Sequence, residues 1–346
     1  MASKLTTTPG TVQQSGPLLP HEFDDALRAR LAELDAKAAN HAQDQRPENT
    51  RNAYKADWKT WEAFCQQFQV STTAATSGTL CAFVDYLWHR EKRAYSTIDR
   101  KLAGVAVTLR LEPYRVIVDP EATKAARKLL KDYRRESESN EEPTRGRGKA
   151  PAMRIVDLQR IVSLCDTDVF GLRNRAMLLL GFAIAARRAE LAGLRLRNIR
   201  DDDNGLLIDV RVSKTHPRTV PVPFATNPDV CPVRAWKAWQ QEAQITEPNL
   251  HAFRRIHHTG SVQSQGITPQ RAGDLITAAG LRAGFEDLLT GHSVRSGMAT
   301  EARRAGKDRK AIAAITGHKD GSKVLDGYMR IVDQWDENDN ALIGLL

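Results

Sequence analysis

Apolar residues recur at helical spacing along most of the chain. Phe23, Leu27, Leu31 and Leu34 step by four, four and three, which predicts a short amphipathic helix over 21–37. Tyr54, Trp58, Trp61, Cys65 and Phe68 step by four, three, four and three from about residue 49, a longer helix with an aromatic face. Leu80, Phe83, Val84 and Leu87 mark the next. Ile98, Leu102, Val105 and Leu109 mark a third, with Ser96 as its expected cap. Asp119-Pro120 opens a fourth that carries Ala126, Leu129, Leu130 and Tyr133, the proline being suited to a first helical position.

The pattern then breaks. ESESNEEPTRGRGKAP, residues 136–151, holds no large apolar residue and reads as an interdomain linker, acidic first and basic after. Helical periodicity resumes over 155–164 and 172–195. Leu206–Val212 and Thr219–Val222 predict two short strands joined through THPR. Further helices are expected near 232–243, 269–280, 293–305, 308–315 and 320–330. The fold class is therefore mainly α: a helical first domain, then a mostly helical second domain with a small β-hairpin. The expected divisions are a polar tail with a short helix over 1–46, a first domain over 47–136, a linker over 137–151 and a second domain over 152–346.

Length agrees, since 346 residues make about two domains at roughly 100–200 residues each. The longest apolar run, Ala176–Ala186, has 11 residues, well short of the ~20 that a bilayer crossing needs. The N-terminal MASKLTTTPG lacks the apolar stretch of a signal peptide, so no membrane association is expected. Cys65, Cys81, Cys165 and Cys231 are widely spaced and form neither a disulfide framework nor a zinc motif, so the cytoplasm is the expected compartment. His257-His258 has no Cys or carboxylate cluster beside it, and no metal site is assigned.

Charge narrows the partner. The net charge is +9, and residues 88–135 hold 13 Lys/Arg against 6 Asp/Glu, which favours a polyanion. In the second domain four local contexts bring cations and imidazoles together in order. AARRAELAGL carries Arg187 and Arg188, VSKTHPR carries Lys214, GHSVRSG carries His292 and Arg295, and ITGHKDGSKVLDGYMR carries His318 ten residues before Tyr328. Of the six tyrosines (54, 86, 95, 114, 133 and 328), five lie in the first half. A tyrosine nucleophile in the second domain must therefore be Tyr328.

In this order and spacing the set Arg187, Lys214, His292, Arg295, His318 and Tyr328 resembles the tyrosine recombinase (phage integrase) family, with a layout similar to its Cre-type members. The resemblance runs from about residue 49 to the C-terminus, and NTRNAYKADWKTWEAFC resembles the opening helix of the family's core-binding domain. It implies a SAM-like core-binding bundle and a catalytic domain that together close as a C-shaped clamp on duplex DNA. It also implies a site-specific recombinase without cofactor or metal. Arg187, Arg295 and His318 would hold the scissile phosphate, Lys214 would be the general acid, and His292 would take the tyrosine proton or orient a neighbour. Tyr328 would form the 3′-phosphotyrosyl link. Phosphoryl transfer needs positioning and charge neutralisation, which the planar, permanently charged guanidinium supplies well.

Arg-x-x-Glu spacing selects Arg187 over Arg188, which would form a salt bridge or touch DNA. The His318–Tyr328 interval is one residue longer than the family's usual nine, and Gly327 precedes the tyrosine, features expected of a nucleophile ordered by a partner. Thr50, Arg51 and Lys55, with Thr97, Arg100 and Lys101, lie at helix starts suited to DNA contact, Arg100 as the base reader. The partner implied is double-stranded DNA with an inverted-repeat site, bound in a tetrameric synapse, with Ala341–Leu346 docking on a neighbouring copy. The 21–37 helix, five acidic against three basic residues, is unsuited to a DNA arm, and no lambda-type arm domain is seen. Two other readings fit part of the pattern: a type IB topoisomerase, and a DNA-binding protein that has lost catalysis.

Overall fold

The computed structural model describes residues 24–336 apart from Gln45, Glu112, Arg147, Lys149, 212–216 and Asp320. These residues form two compact units that divide between Gly148 and Lys149.

The first unit contains α1 (Asp25–Asp44), α2 (Glu48–Phe68), α3 (Ser77–Asp85), α4 (Tyr95–Leu109) and α5 (Pro120–Ser139), with a π-helical turn over Tyr86–Arg90 after α3. The apolar stripe of α2 is buried as its spacing requires, with Trp58, Trp61, Phe64 and Cys65 inside. Trp61 lies edge-on to Phe83 at 5.0 Å and stacks on Phe64 at 5.5 Å, geometries that suit the ring quadrupoles. Asp119 caps α5 by accepting from the Glu121 amide at 3.0 Å, with Pro120 at the first helical position. Two expectations change. Ser96 does not cap α4; the cap position is Ala94, which makes no side-chain bond, and Ser96 sits exposed inside the first turn. α5 also runs through Ser139, past the expected start of the linker, because a polar run without Pro or Gly is as good a helix as a linker.

The second unit is built around α7 (Val169–Ala183), whose Ala176–Gly181 stretch is wholly buried. Around it lie α6 (Ile155–Ser163), α8 (Arg188–Gly193), α9 (Pro232–Glu242), α10 (Pro269–Arg282), α11 (Gly291–Arg304), α12 (Arg309–Thr316) and α13 (Lys323–Asp336). Three antiparallel strands, β1 (Ile199–Asp202), β2 (Gly205–Val210) and β3 (Arg218–Pro223), form a meander in that order. β4 (Arg254–Ile256) and β5 (Val262–Gly266) form a separate ribbon. β1, β4 and β5 were not expected, since each is short and mostly polar.

The predicted helix over 172–195 is two helices. Ala185 takes a left-handed conformation (φ 49°), and the Ala186 amide donates back to the Gly181 carbonyl at 2.9 Å, a Schellman-type stop with alanine where glycine is usual. An unbroken apolar run has no periodicity with which to announce such a stop. Among the described residues no helix is long and apolar enough to cross a membrane.

Candidate active site

The stop after α7 shapes the first corner of the site. It turns the chain so that Arg187 caps α8 and Glu190 lies one turn on. Glu190 Oε2 accepts from the Arg187 amide at 2.9 Å, and Oε1 accepts from Arg187 Nη1 at 2.7 Å. Glu190 is buried, and burial opposes its charge; Arg218 and Arg187 outweigh that and hold the carboxyl below its usual range.

Arg218 opens β3 and completes the corner. Its Nη2 donates to Glu190 Oε2 at 2.9 Å and to the Ile184 carbonyl at 3.1 Å, while Nε donates to the Ile315 carbonyl at 2.7 Å. One buried side chain thus joins α8, the end of α7, the end of α12 and the β2–β3 hairpin. Strand alternation was its available signal, because residues 218, 220 and 222 share the inward face of β3. Arg188, the adjacent arginine, points elsewhere, its Nη1 3.4 Å from Gln270 Oε1.

α11 supplies the second arginine and the first histidine. Thr290 and Ser293 cap the helix reciprocally, which sets His292 and Arg295 in its first turns. Arg295 is 1% exposed and donates through Nη1 to the Ala185 carbonyl at 2.8 Å. Burial, with Arg187 nearby, lowers its pKa to about 10, still cationic at neutrality. Glycine at 297 is obligatory, because a Cβ there would lie 1.9 Å from the Met153 carbonyl.

Gly317 ends α12 in the left-handed region (φ 67°) and turns His318 toward Arg295, whose Nη2 lies 3.4 Å from His318 Nε2. Burial and the surrounding arginines push His318 down to about 4. Tyr328 comes from α13, which packs through Leu325 against Ala299 and Ile312 and is tied by Arg309–Asp326 at 3.0 Å and Arg303–Asp333 at 2.5 Å. The Tyr328 hydroxyl is 2.7 Å from His292 Nε2. Burial raises the tyrosine's pKa and lowers that of His292, the latter also depressed by Arg295. α13 is continuous through Gly327, and the tyrosine meets the histidine of its own chain.

Five of the six predicted residues, Arg187, His292, Arg295, His318 and Tyr328, thus converge. Lys214 lies outside the described residues. A hydroxyl on a neutral imidazole, ringed by two guanidiniums and a second imidazole, suits attack on an anionic ester whose charge the arginines neutralise.

The family model described as the phage integrase family matches residues 152–334, more than half of the chain and the whole of this constellation. The chain belongs to the phage integrase family. It is a tyrosine-type recombinase or integrase. An integrase/recombinase xerD homolog of Selenomonas ruminantium is 28% identical over 302 residues, covering 86% of this chain and 85% of the relative. Among solved structures, XerH recombinase bound to a palindromic difH substrate aligns with a TM-score of 0.57 at 14% identity, over 91% of this chain and 85% of that one. The Tn1549 transposon integrase in complex with transposon right end DNA aligns at 0.56 and 15%, over 90% and 98%. A lambda integrase dimer on a core site aligns at 0.53 and 13%, over 89% and 81%. These structural likenesses show the shared fold.

In the first unit the DNA-contact candidates have mixed fates. Thr50 and Arg51 are half-buried in the first turn of α2, Lys55 is exposed one turn on, and Thr97 is half-buried in α4. Arg100 is exposed, with Nη1 donating to Asp57 Oδ2 and 3.4 Å from the Ala53 carbonyl. Lys101 is a correction. It is 7% exposed, and its ammonium lies 2.8 Å from Thr60 Oγ1 and 3.4 Å from Asp57 Oδ1. It therefore neutralises an internal carboxylate and does not face a ligand. Asp57, fully buried between α2 and α4, was missed because an isolated acidic residue beside an aromatic face carries no periodic signal. The N-terminal tail before residue 24 and the tail Ala341–Leu346 lie outside the described residues.

Proposed function

We propose that this recombinase cleaves and rejoins DNA strands through a 3′-phosphotyrosyl intermediate on Tyr328. The observation that carries the reading is the 2.7 Å contact between the Tyr328 hydroxyl and His292 Nε2 beside Arg187, Arg295 and His318. His292, kept neutral by burial and Arg295, accepts the phenolic proton as the oxygen attacks phosphorus. Arg187 and Arg295 grip the non-bridging oxygens, pre-aimed by Glu190 and the Ala185 carbonyl. His318 donates a further hydrogen bond. Lys214 protonates the departing 5′ oxygen. The phosphotyrosine retains the ester's bond energy, so a second strand's 5′-hydroxyl reseals the link with neither ATP nor metal.

Thr50, Arg51, Lys55, Thr97 and Arg100 contact the duplex in the cytoplasm, with Arg100 reading a base. The XerH complex, formed on a palindromic site, supports an inverted-repeat target, two of which would be joined in a tetrameric synapse linked by Ala341–Leu346.

The test uses nicked duplexes tiled across the DNA that flanks the gene, so that the short cleaved fragment diffuses away and traps the intermediate. An adduct surviving SDS in the wild type and absent from Tyr328→Phe is expected. Adducts in both would remove Tyr328 from the role; binding without an adduct in either would support a DNA-binding protein that has lost catalysis.

A further inference from the structure

His318 is flanked on both sides by groups that bear on which of its nitrogens carries the hydrogen. On one side, the Thr316 hydroxyl donates its single proton to the Ile312 carbonyl at 2.7 Å. Its oxygen is then only an acceptor for His318 Nδ1, 2.8 Å away, so Nδ1 carries a hydrogen. On the other side, Arg295 Nη2, which has only protons to offer, faces His318 Nε2 at 3.4 Å, so Nε2 presents its lone pair. The short Thr316 bond sets this neutral tautomer, and the longer Arg295 approach agrees with it without fixing it. Its site-facing nitrogen is an acceptor, the wrong polarity for a phosphate oxygen.

We propose that Thr316 locks His318 in the Nδ1–H tautomer, so that the ring can donate to the scissile phosphate only by taking up a proton as DNA binds. The inference rests on reading His318 as a phosphate ligand. In the free protein the ring is neutral, with Nδ1–H donating to Thr316. In the complex one proton from solvent adds to Nε2, which then donates to a non-bridging oxygen, and Arg295 Nη2 turns from the ring to the same phosphate. The proton leaves when the DNA does.

The groups that face the ring explain the direction. Arg295 and His292 from α11, Arg187 at the start of α8, Arg218 from β3 and Tyr328 from α13 surround it, and exposed Lys319 follows it in the chain. Three arginines and burial oppose a second proton and hold the free ring neutral at pH 7. An anionic phosphate placed among those arginines reverses that balance and raises the ring's pKa. Thr316 is thus a positioning residue, and it makes the histidine–phosphate contact charge-assisted, hence stronger than a neutral one.

Nitrogen-15 NMR of histidine-labelled protein at neutral pH reads the tautomer directly, with His318→Gln identifying the signal. The expected free-state signature is a protonated Nδ1 and a bare Nε2. It is kept in Thr316→Ser and lost in Thr316→Val, where Nε2–H becomes available. Binding of the nicked duplex that forms the adduct, to Tyr328→Phe protein, is expected to protonate both nitrogens at the same pH. Cleavage by the wild type and Thr316→Ser should then fall about tenfold per pH unit on the alkaline limb. Thr316→Val should show a flattened limb, since its ring donates while neutral. An Nε2–H tautomer in the free wild type, a neutral ring in the complex, or an unchanged limb in a folded Thr316→Val would each overturn the proposal. If no duplex yields an adduct while the wild type shows the lock and Thr316→Val loses it, the phosphotyrosyl reading and its proton uptake fall and the lock itself stands.

Discussion

Asp57 in the first unit and Glu190 in the second are both buried carboxylates that pin two cations, but they pin them for different ends. Asp57 joins α2 to α4: it takes Lys101 wholly inside and leaves Arg100 with 43% of its side chain exposed. Glu190 joins α8 to β3 through Arg187 and Arg218, and here the second cation, Arg218, is only 7% exposed. In the first unit Lys101 completes an internal pair while Arg100 is presented outward. In the second the internal cation, Arg218, also reaches the carbonyls of Ile184 and Ile315, next to the segments that carry Arg187 and His318. A carboxylate that holds one external arginine sets the direction of a contact; one that holds a buried arginine shared among four segments sets the shape of a site.

Removing each carboxylate should separate these roles. Glu190→Ala strands a buried arginine, so urea unfolding should show a loss of about 3–5 kcal/mol, with adduct formation lost even where the protein remains folded. The Asp57 cluster should respond less, because Lys101 keeps Thr60 and Arg100 reaches water. Asp57→Asn is expected to cost about 1–3 kcal/mol, leaving adduct formation intact at saturating duplex while weakening duplex affinity. Gly104 sharpens the point: a Cβ there would lie 2.8 Å from Asp57 Oδ2 and 2.9 Å from Asp57 Cβ. Gly104→Ala should therefore destabilise the wild type by roughly 1–3 kcal/mol and cost distinctly less in an Asp57→Gly background, which removes both atoms.

The acid response should separate the two units as well. His292 and His318 are bases whose pKa is lowered on folding, His318 to about 4. The unfolded chain therefore binds protons first as pH falls below the ordinary histidine value, and stability present above about pH 6.5 drains away toward pH 4. Glu190, lowered below 4.5, adds a loss only at still lower pH. Hydrogen exchange should show α11–α13 loosening between pH 6.5 and 4 while α2–α5 hold, with His318→Gln flattening that response. Equal loosening of both units would tell against the buried imidazoles as its cause.

Much of this was legible in one dimension. Helical periodicity placed α2 to α5 closely, because each buries a single stripe and so alternates with exposure. The five converging site residues were recognisable because each sits in a distinctive local context, Arg187, His292, Arg295 and His318 near a capped or broken helix end and Tyr328 within α13. The division of α7 from α8 was not legible, since Ala176–Ala186 is apolar throughout and the stop depends on Ala185 adopting a left-handed conformation inside the core. Ser96 has the chemistry of a cap but not the place of one. Lys101 and Arg100 are adjacent and alike in charge, and nothing local distinguishes the one that turns inward.

By itself the sequence determined most of the helical segments, that the second domain has one tyrosine to use, and which cations accompany it. Those properties are local: spacing, residue type and order. Only the tertiary structure decided that Arg218 braces the site, that Asp57 claims Lys101, that Tyr328 meets His292, and that Arg295 reaches His318. Each of these is a contact between residues far apart in the chain or on separate turns. Its partner is selected by burial, because a charged or polar group removed from water must find its hydrogen bond wherever the fold brings one within reach.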